Sequence, residues 1–454
     1  MGRLFGTDGI RGRANMYPIT PDLVIKLGQA IGTYFREHYE RPRILIGKDT
    51  RRSGYLLEQS LSAGICSVGV DTFFLGPLPT PGIAYLTRGL RANAGIVISA
   101  SHNPYYDNGI KIFASDGYKL PDSVENELEK MVLEGNHFEE LPTGHAIGRT
   151  KRIEDAIGQY AVFLKEQFPK HLTLEGLRIV LDCANGASYK VAPKVFEELG
   201  AELFVIGNTP DGTNINKNCG ALHPDKLAEK VRLYKADIGI ALDGDADRLQ
   251  VVDHKGEVVD GDEILAICGT HYMSTGKLAG NTLVSTVMSN MGLDIALSNA
   301  GAKLIRTDVG DRYVVEAMKK GGFNLGGEQS GHLIFRDSST TGDGILAALH
   351  LLEIIIEKGK TIHELKKVMT RLPQVLKSFE VEEKVPLENL EGLKAGISKI
   401  EKKLGDKGRV LFRYSGTEKK ARVMVEGTDQ NEIIAYADEL TELTTKDISK
   451  NLEK

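Results

Sequence analysis

The sequence is poor in cysteine, and its cysteines lack the close spacing of zinc sites and disulfide frameworks. The chain of 454 residues contains four of them, Cys66, Cys183, Cys219 and Cys268. They lie far apart and form no C-x-x-C pair. This pattern is typical of reduced cysteines, so we expect a cytoplasmic protein without disulfides or a zinc site.

Excess positive charge and long apolar runs are also missing. The chain has 57 lysines and arginines against 62 acidic residues, and it has no basic block. The first residues lack the apolar stretch of a signal peptide. The most apolar segment begins at Gly344, is interrupted by His350 and Glu353, and is too short to cross a bilayer. We therefore expect neither a nucleic-acid partner nor a membrane partner.

Two common phosphate-binding fingerprints, G-x-x-x-x-G-K-[ST] and G-x-G-x-x-G, are absent as well. Glycine itself is abundant, at 50 residues, and the excess lies in short polar loops. Because glycine permits tight turns and a close approach of the backbone to a ligand, the pattern indicates many tight turns rather than disorder.

Strands, polar loops and helices alternate through most of the chain. The strand-like segments 43–47, 94–98, 177–181, 238–242 and 282–285 each end in a polar loop. Beyond Met369 the pattern changes to half-buried strands separated by amphipathic helices. We predict three related α/β domains with mixed sheets and a smaller C-terminal α+β domain. The predicted bounds are 1–152, 153–253, 254–370 and 371–454.

The segment 94–113 contains the first candidate site. A β-branched run ends at Ile98 and is followed by Ser101 and His102, with Lys111 further on. Open α/β sheets bind ligands where their strands end. A serine exposed there, beside a histidine, is a candidate nucleophile or phosphate acceptor. These residues alone also fit an ordinary polar loop.

Three aspartates at alternate positions, Asp243, Asp245 and Asp247, follow another apolar strand. Their mutual repulsion favours a hard divalent cation among them. An EF-hand loop is excluded, because Arg248 and His254 stand where it needs glycine and glutamate. A Mg²⁺ site for phosphate chemistry remains, with Arg248 placed to hold a phosphoryl oxygen. The alternative is an acidic surface turn.

The loop G-G-E-Q-S-G-H at 326–332 contains Glu328, Ser330 and His332. Because Glu328 and Ser330 lie two residues apart, they point the same way if the loop is extended, and they then hold adjacent sugar hydroxyls. His332 has the side chain whose usual pKa suits acid–base chemistry near neutral pH. A structural histidine is the alternative.

Two further loops combine arginine with glycine or hydroxyl groups. The segment 413–418, R-Y-S-G-T-E, ends a strand and is followed by Arg422; it suits a phosphate clamp, with a plain turn as the alternative. The N-terminal F-G-T-D-G-I-R-G at 5–12 brings glycines and Arg11 together, which suits either an anion site or a structural turn.

Together, five motifs in this order resemble those of the α-D-phosphohexomutase family. They are F-G-T-D-G-I-R-G, I-S-A-S-H-N-P-Y-Y-D-N-G-I-K, D-G-D-A-D-R, G-G-E-Q-S-G-H and R-Y-S-G-T-E. Gln329 and the N-terminal motif resemble the branch of bacterial phosphoglucosamine mutases. The resemblance implies a heart-shaped arrangement of three related α/β domains and a smaller, mobile fourth domain.

The resemblance also implies a role for each candidate residue. Ser101 would carry the phosphate and, with the three aspartates, hold one Mg²⁺ ion. Lys111, Arg248 and His332 would assist proton transfer and neutralise charge. The implied substrate-binding residues are Arg11, His102, Thr307, Gly310, Glu328, Ser330, Arg413, Ser415, Gly416, Thr417 and Arg422. Tyr414 and Lys419 depart from the family pattern, which commonly has proline at both positions.

The implied reaction interconverts glucosamine 6-phosphate and glucosamine 1-phosphate through a phosphoserine and a 1,6-bisphosphate. It would feed UDP-N-acetylglucosamine synthesis, with glucose or glucosamine 1,6-bisphosphate as activator. The alternatives are a phosphoglucomutase or phosphomannomutase, a non-catalytic phosphosugar-binding protein and a sugar phosphatase. The sequence leaves the oligomeric state open, with a homodimer as one option.

Overall fold

The computed structural model describes residues 4–6, 8–135, 141–415 and 419–452, which form four units in chain order. The first unit contains β1 (Ile10–Arg13), α1 (Pro21–His38), β2 (Arg43–Lys48), α2 (Arg52–Ser67), β3 (Asp71–Pro77), α3 (Thr80–Gly89), β4 (Ala94–Ile98), β5 (Asp107–Ala114), α4 (Asp122–Glu134) and β6 (Thr150–Arg152). Its strand order is β1-β5-β4-β2-β3-β6. The pairs of β2, β3, β4 and β6 are parallel, whereas β5 is antiparallel to both of its neighbours.

The second unit has a smaller mixed sheet in the order β11-β10-β9-β7-β8. Its elements are α5 (Ala156–Glu166), β7 (Arg178–Asp182), α6 (Val191–Glu198), β8 (Glu202–Ile206), α7 (Pro224–Tyr234), β9 (Ile238–Leu242), β10 (Leu249–Asp253) and β11 (Val258–Val259). The sheet therefore extends beyond residue 253, the predicted end of the second domain; the domain bounds stay a prediction.

The third unit has a four-stranded sheet in the order β13-β12-β14-β15, and the fourth has three antiparallel strands in the order β16-β18-β17. The third contains α8 (Gly261–Ser274), β12 (Thr282–Thr286), α9 (Met291–Asn299), β13 (Lys303–Thr307), α10 (Asp311–Gly321), β14 (Leu325–Gly327), β15 (Leu333–Phe335), α11 (Gly344–Lys358) and α12 (Ile362–Leu365). The fourth contains β16 (Gln374–Glu380), α13 (Glu391–Leu404), β17 (Arg409–Tyr414), β18 (Lys420–Glu426) and α14 (Gln430–Leu452). The predicted fold class is confirmed.

The strands that lead to the candidate site are buried along their whole length. All five residues of β4 and all five of β9 are buried, as expected for strands covered on both faces by helices. Each strand is apolar apart from a glycine, so neither can end at the surface without exposing hydrophobic side chains. The polar loops that follow them are therefore held at the edge of a packed core.

One hydrophobic core joins the first three units, whereas the fourth unit has its own. Leu45, Ile240 and Leu283, from three different sheets, belong to the same buried cluster. The cluster of the fourth unit runs from Val381 to Ile448 and, as far as the chain is described, contains no residue of the other units. Within the described residues, no helix is long and apolar enough to span a membrane.

Candidate active site

Ser101 lies in the loop after β4 with its backbone in a conformation that is unusual for a serine. Its φ angle is +48°, in the left-handed region, and the residue is 2% exposed. Non-glycine residues are rarely found there unless the surroundings hold them in place. Three hydrogen bonds do so: Ser101 N–H donates to Ser99 Oγ at 2.9 Å, and its carbonyl accepts from Arg51 at 3.1 Å and Asn216 at 2.8 Å.

Arg51, which was not among the predicted site residues, is the main support of this loop. Its guanidinium is fully buried, forms an ion pair with Asp49, and donates to the carbonyls of Ser101 and Asn103. Ser99 Oγ donates to the same Asp49 carboxylate at 2.5 Å. The sequence did contain a signal for Arg51, because it lies in the charged loop that follows strand β2. Since β2 and β4 are adjacent and parallel, that loop lies beside the Ser101 loop.

The three aspartates lie directly against Ser101. Ser101 Oγ donates to Asp243 Oδ2 at 2.6 Å, and one carboxylate oxygen from each of the three aspartates lies within 4.8 Å of the others. Gly244 allows this approach, because a Cβ there would lie 2.4 Å from the Ser101 carbonyl oxygen. The buried atoms Asp245 Oδ1 and Asp247 Oδ1 have no hydrogen-bond partner among the residues that the structure describes. Hard oxygen donors left without partners are what a Mg²⁺ ion requires, so these residues fit that ion.

Burial and mutual repulsion oppose the accumulation of negative charge in this cluster. Burial, with Asp247 and Asp245 nearby, raises the pKa of Asp243 well above its usual range. Burial likewise raises the pKa of Asp245. Burial alone would also raise the pKa of Asp247, but His332 and Lys111 outweigh it and lower that pKa. A divalent cation would relieve the repulsion that raises the first two values.

Lys111 lies near the aspartate cluster and forms an ion pair with Asp8, which was not among the predicted site residues. Its Nζ lies 2.9 Å from Asp8 Oδ2 and 3.8 Å from Asp247 Oδ2. Burial alone would lower the pKa of Lys111, but Asp8, Asp245 and Asp247 outweigh it and raise that pKa. Burial opposes ionisation of Asp8 too, yet Lys111 and Arg11 lower its pKa to about 2. Lys111 is therefore a permanent positive charge at neutral pH.

His332 and Arg248 approach the cluster from the cavity side. His332 Nδ1 lies 3.6 Å from Asp247 Oδ2, and the N–H of Gly342 donates to His332 Nε2 at 3.1 Å. Burial alone would lower the pKa of His332, but the Asp247 carboxylate near Nδ1 raises it to about 9. The Gly342 N–H acts in the opposite direction, because donation to Nε2 favours the neutral ring. Arg248 Nε lies 4.0 Å from Asp247 Oδ1.

His102 differs from His332 because cations surround it. Its Nδ1 lies 3.2 Å from Ser101 Oγ. Burial, and then the charges of Arg248 and Arg11, lower the pKa of His102 to about 4. The ring is therefore neutral at pH 7, when it is able to accept a proton from the serine.

The loop at 326–332 is a tight turn and not an extended segment. Gly331 N–H donates to the Glu328 carbonyl at 3.0 Å, and β14 pairs with β15 on either side of the turn. Glu328 and Ser330 still lie together, with their side-chain oxygens 3.4 Å apart. Gly310 N–H donates to Glu328 Oε1 at 3.1 Å, which joins the loop after β13 to this turn.

A cavity of about 480 Å³ lies over these groups. Its described lining comes from the first three units: Leu4, Gly6, Asp8, Gly9, Arg11, Ser101, Asp247, Arg248, Val309, Gly310, Asp311, Glu328 and His332. The structure thus brings the serine, metal and sugar motifs around one space. Thr307 is not part of this lining, and its Oγ1 donates to the Asp308 carbonyl at 2.9 Å.

The predicted phosphate clamp lies in the fourth unit, outside the described lining of this cavity. Arg413 and Arg422 are directly opposed on β17 and β18, and partial burial beside Arg422 lowers the pKa of Arg413. Like charges placed opposite each other repel, and an anion between them would relieve this. Ser415 is buried, and its carbonyl accepts from Lys384 at 2.6 Å. The predicted residues Gly416 and Thr417 lie outside the described residues.

Tyr414 and Lys419, which stand where the family commonly has proline, each donate a side-chain hydrogen bond. Tyr414 OH donates to the Val385 carbonyl at 2.7 Å, and Lys419 Nζ donates to the Glu382 carbonyl at 3.2 Å. Both bonds connect the clamp loop to the segment after β16. Side-chain bonds therefore tie down the two ends of this loop, where the family pattern has proline.

Family models match the four units in order. They are described as phosphoglucomutase/phosphomannomutase alpha/beta/alpha domains I, II and III and the C-terminal domain, at residues 2–138, 158–256, 260–372 and 376–443.

Curated relatives and solved structures are similar over nearly the full chain. Phosphoglucosamine mutase of Nitratidesulfovibrio vulgaris is 55% identical over 98% of this chain and 99% of that protein. The phosphoglucosamine mutase of Pelobacter propionicus is 56% identical over 99% and 100%. A phosphoglucomutase/phosphomannomutase family protein from Burkholderia thailandensis has a TM-score of 0.82 at 23% identity, covering 98% of this chain and 97% of its own. This last likeness concerns the fold.

Proposed function

Because the chain belongs to the phosphoglucomutase/phosphomannomutase family, we propose that it interconverts glucosamine 6-phosphate and glucosamine 1-phosphate. It is a phosphohexomutase, an isomerase that acts by phosphoryl transfer. The amino-sugar substrate is supported by the relatives at about 55% identity, which are phosphoglucosamine mutases. Mutases of the non-amino hexoses are therefore the less favoured alternative.

The observation that carries the proposal is the contact between Ser101 and the aspartate cluster. Ser101 Oγ lies 2.6 Å from Asp243 Oδ2, at one side of a cavity whose other side includes Glu328 and His332. A hydroxyl in this position is able to carry a phosphoryl group that has the acidic cluster on one side and a sugar in the cavity on the other. A binding protein without catalysis would not need a serine held in a strained backbone conformation there.

The residues divide into those that stabilise charge and those that move protons. Asp243, Asp245 and Asp247 would hold Mg²⁺, which supplies positive charge to the phosphoryl group in transfer. Lys111 and Arg248 add fixed positive charge from the protein. The bond from phosphorus to Ser101 Oγ breaks as a bond to a sugar hydroxyl oxygen forms. We assign the proton of that hydroxyl to His332 in the neutral form that the Gly342 N–H favours. The released Ser101 oxygen takes up a proton from the groups beside it, Asp243 and His102.

The return step uses the same groups in reverse. The bisphosphate turns over in the cavity, and its other phosphoryl group moves to Ser101 Oγ. The serine proton has an acceptor in Asp243 Oδ2 at 2.6 Å and a second one in His102 Nδ1 at 3.2 Å. The sugar leaves with a single phosphate at the other position, and the enzyme regains its phosphoserine.

We assign the phosphate that is not in transfer to Arg413, Ser415 and Arg422, together with Gly416 and Thr417. The fourth unit has its own core, so it is able to move as a body toward the cavity. Such closure would exclude water, which otherwise hydrolyses the phosphoserine.

Other features of the proposal follow from the family and remain to be tested. We propose one Mg²⁺ per site, glucose or glucosamine 1,6-bisphosphate as activator, and a cytoplasmic location. A hexosamine phosphate is the proposed small-molecule partner, and a homodimer stays a prediction.

A coupled mutase assay tests the function. Purified enzyme, Mg²⁺ and a trace of bisphosphate should turn over glucosamine 1-phosphate faster than glucose 1-phosphate or mannose 1-phosphate. Ser101→Ala should reduce turnover to background and should remove the phosphate seen by intact mass. Fastest turnover of a non-amino sugar would contradict the substrate, and an active Ser101→Ala enzyme would contradict the mechanism.

A further inference from the structure

The cavity over Ser101 has four carboxylates in its described lining, and three of them face cations. Asp8 lies against Lys111 and Arg11. Asp247 lies near Lys111, His332 and Arg248. Glu328 lies near Arg248. Burial alone would lower the pKa of Arg248, but the neighbouring aspartates and Glu328 raise it. The fourth carboxylate is Asp311.

Asp311 has no lysine or arginine nitrogen within 4.0 Å of its carboxylate among the ion pairs of the described residues. Its Oδ2 lies 3.9 Å from His332 Nε2, but the positive charge of that ring is shared with Asp247, which lies nearer at 3.6 Å from Nδ1. The neighbouring Arg312 turns away and pairs with Asp122 at 2.5 Å and Glu316 at 2.9 Å. The Asp311 side chain is 35% exposed, so a ligand in the cavity is able to reach it.

A purely structural role accounts for only part of this placement. Asp311 is the first residue of α10, where an acidic side chain is stabilised by the helix dipole. The dipole explains why an acid is tolerated at this position without a lysine or arginine partner. The same benefit would exist if the side chain pointed to solvent, whereas Asp311 lines the cavity together with Glu328 and His332.

Glu328 is less suited to hold an additional cation than Asp311. Its Oε1 accepts from Gly310 N–H at 3.1 Å, and its Oε2 lies 3.4 Å from Ser330 Oγ. Both oxygens of Glu328 are therefore engaged, and Arg248 already offsets its charge. In Asp311, Oδ1 accepts from Arg312 N–H at 2.8 Å, and Oδ2 is directed to the cavity side near His332.

We propose that Asp311 binds the ammonium group of the aminohexose phosphate and sets the preference for amino sugars over neutral hexoses. The inference rests on the proposed function. Glucosamine phosphates differ from glucose phosphates by one cationic group, and a carboxylate without a lysine or arginine partner stabilises that cation more than it stabilises a hydroxyl. A site built for one polar group discriminates against an analogue that lacks it.

The test compares two substrates in Asp311→Asn, which keeps the shape of the side chain and removes its charge. We expect kcat/KM for glucosamine 1-phosphate to fall at least about tenfold, mainly through KM, while that for glucose 1-phosphate changes by less than about threefold. Asp311→Glu keeps the charge and should recover part of the preference. If Asp311→Asn is poorly folded, Asp311→Ser supplies a second neutral variant.

Glu316→Gln is the matched control, because it removes the same charge from the same helix outside the described lining of the cavity. It should leave the substrate preference unchanged. Equal losses for both substrates in Asp311→Asn, or an unchanged ratio, would overturn the inference. If the unmodified enzyme itself prefers glucose 1-phosphate, the proposed function fails instead, so the two failures are distinguishable.

Discussion

The two loops proposed to handle phosphate differ in how firmly the surrounding protein holds them. The Ser101 loop lies at the edge of the core shared by three units and is held by the buried groups of Arg51 and Asn216. The clamp loop around Ser415 belongs to a unit with a separate core, and Tyr414 and Lys419 tie its ends. The comparison indicates a rigid site for the chemistry and a movable one for recognition.

The joint between the two regions is a small polar network. Asn290 exchanges hydrogen bonds with the backbone of Leu372, and its own N–H donates to Asp262 at 2.7 Å. Arg409 of the fourth unit donates to the Ser289 carbonyl at 2.5 Å. Polar contacts such as this one and that of Met291 N–H with Glu426 join two separate cores, so the fourth unit is able to move without disturbing the Ser101 loop.

The largest effect should come from Arg51→Met, which leaves Asp49 buried without its cation. Removing one partner of a buried pair costs about 3–5 kcal/mol of unfolding free energy. We expect a loss of that size in chemical denaturation, with activity falling to background because the Ser101 carbonyl loses a donor. Arg52→Met, at the exposed neighbouring position, is the control and should change little. Equal stability of the two variants would show that the Ser101 loop is not held by Arg51.

Replacing Asp262, in the polar network between the third and fourth units, should have an intermediate effect on the free energy of unfolding, and this effect should depend on pH. Burial, with Asp260 nearby, raises the pKa of Asp262 from 3.8 to about 7. A carboxyl with a raised folded-state pKa binds more protons in the native state, so its contribution to stability is lost as pH rises between those values. The unfolding free energy of the unmodified protein, measured relative to Asp262→Asn, should therefore decrease from pH 4 to pH 7.

Asp225→Asn, at an exposed position in the first turn of α7, is the control for that measurement. It removes a carboxyl at the protein surface, so the effect of Asp262→Asn is read as the difference between the two variants. A flat difference would mean that Asp262 is ionised in the folded protein throughout.

The smallest effect should come from Tyr414→Phe, which removes one hydrogen bond from the clamp loop. A single bond of this kind contributes about 1 kcal/mol. Because the clamp is proposed to bind phosphate and not to transfer it, we expect KM to rise about two- to fivefold with kcat nearly unchanged. Steady-state kinetics with glucosamine 1-phosphate measure this, and Tyr436→Phe in α14 serves as the control. A fall in kcat alone would contradict the division of roles between the two loops.

Much of the site could be predicted from local sequence, because its main groups lie in short motifs. Ser101, Asp243, Glu328 and His332 come from different segments, yet each follows or joins strands whose ends meet at one cavity. The fold class was predictable for a related reason, since buried strands such as β9 are apolar along their whole length.

The residues that were missed act through contacts distant in sequence. Asn216 holds the Ser101 carbonyl across 115 positions, and no local pattern indicates that bond. Asp8 lay within a recognised motif, but its contact with Lys111 depends on the pairing of β1 with β5. Thr307 was predicted in the loop adjacent to the sugar loop; its hydroxyl donates to the Asp308 carbonyl, and its role in substrate binding stays a prediction.

The most direct test follows the phosphoryl group itself. Enzyme labelled with isotopic phosphate at Ser101 is mixed with glucosamine 1-phosphate and Mg²⁺ in a single turnover. We predict that the label leaves the peptide containing residue 101, appears in the sugar bisphosphate and then in glucosamine 6-phosphate. Release of the label as inorganic phosphate, or its retention on the protein while product forms, would contradict transfer through Ser101.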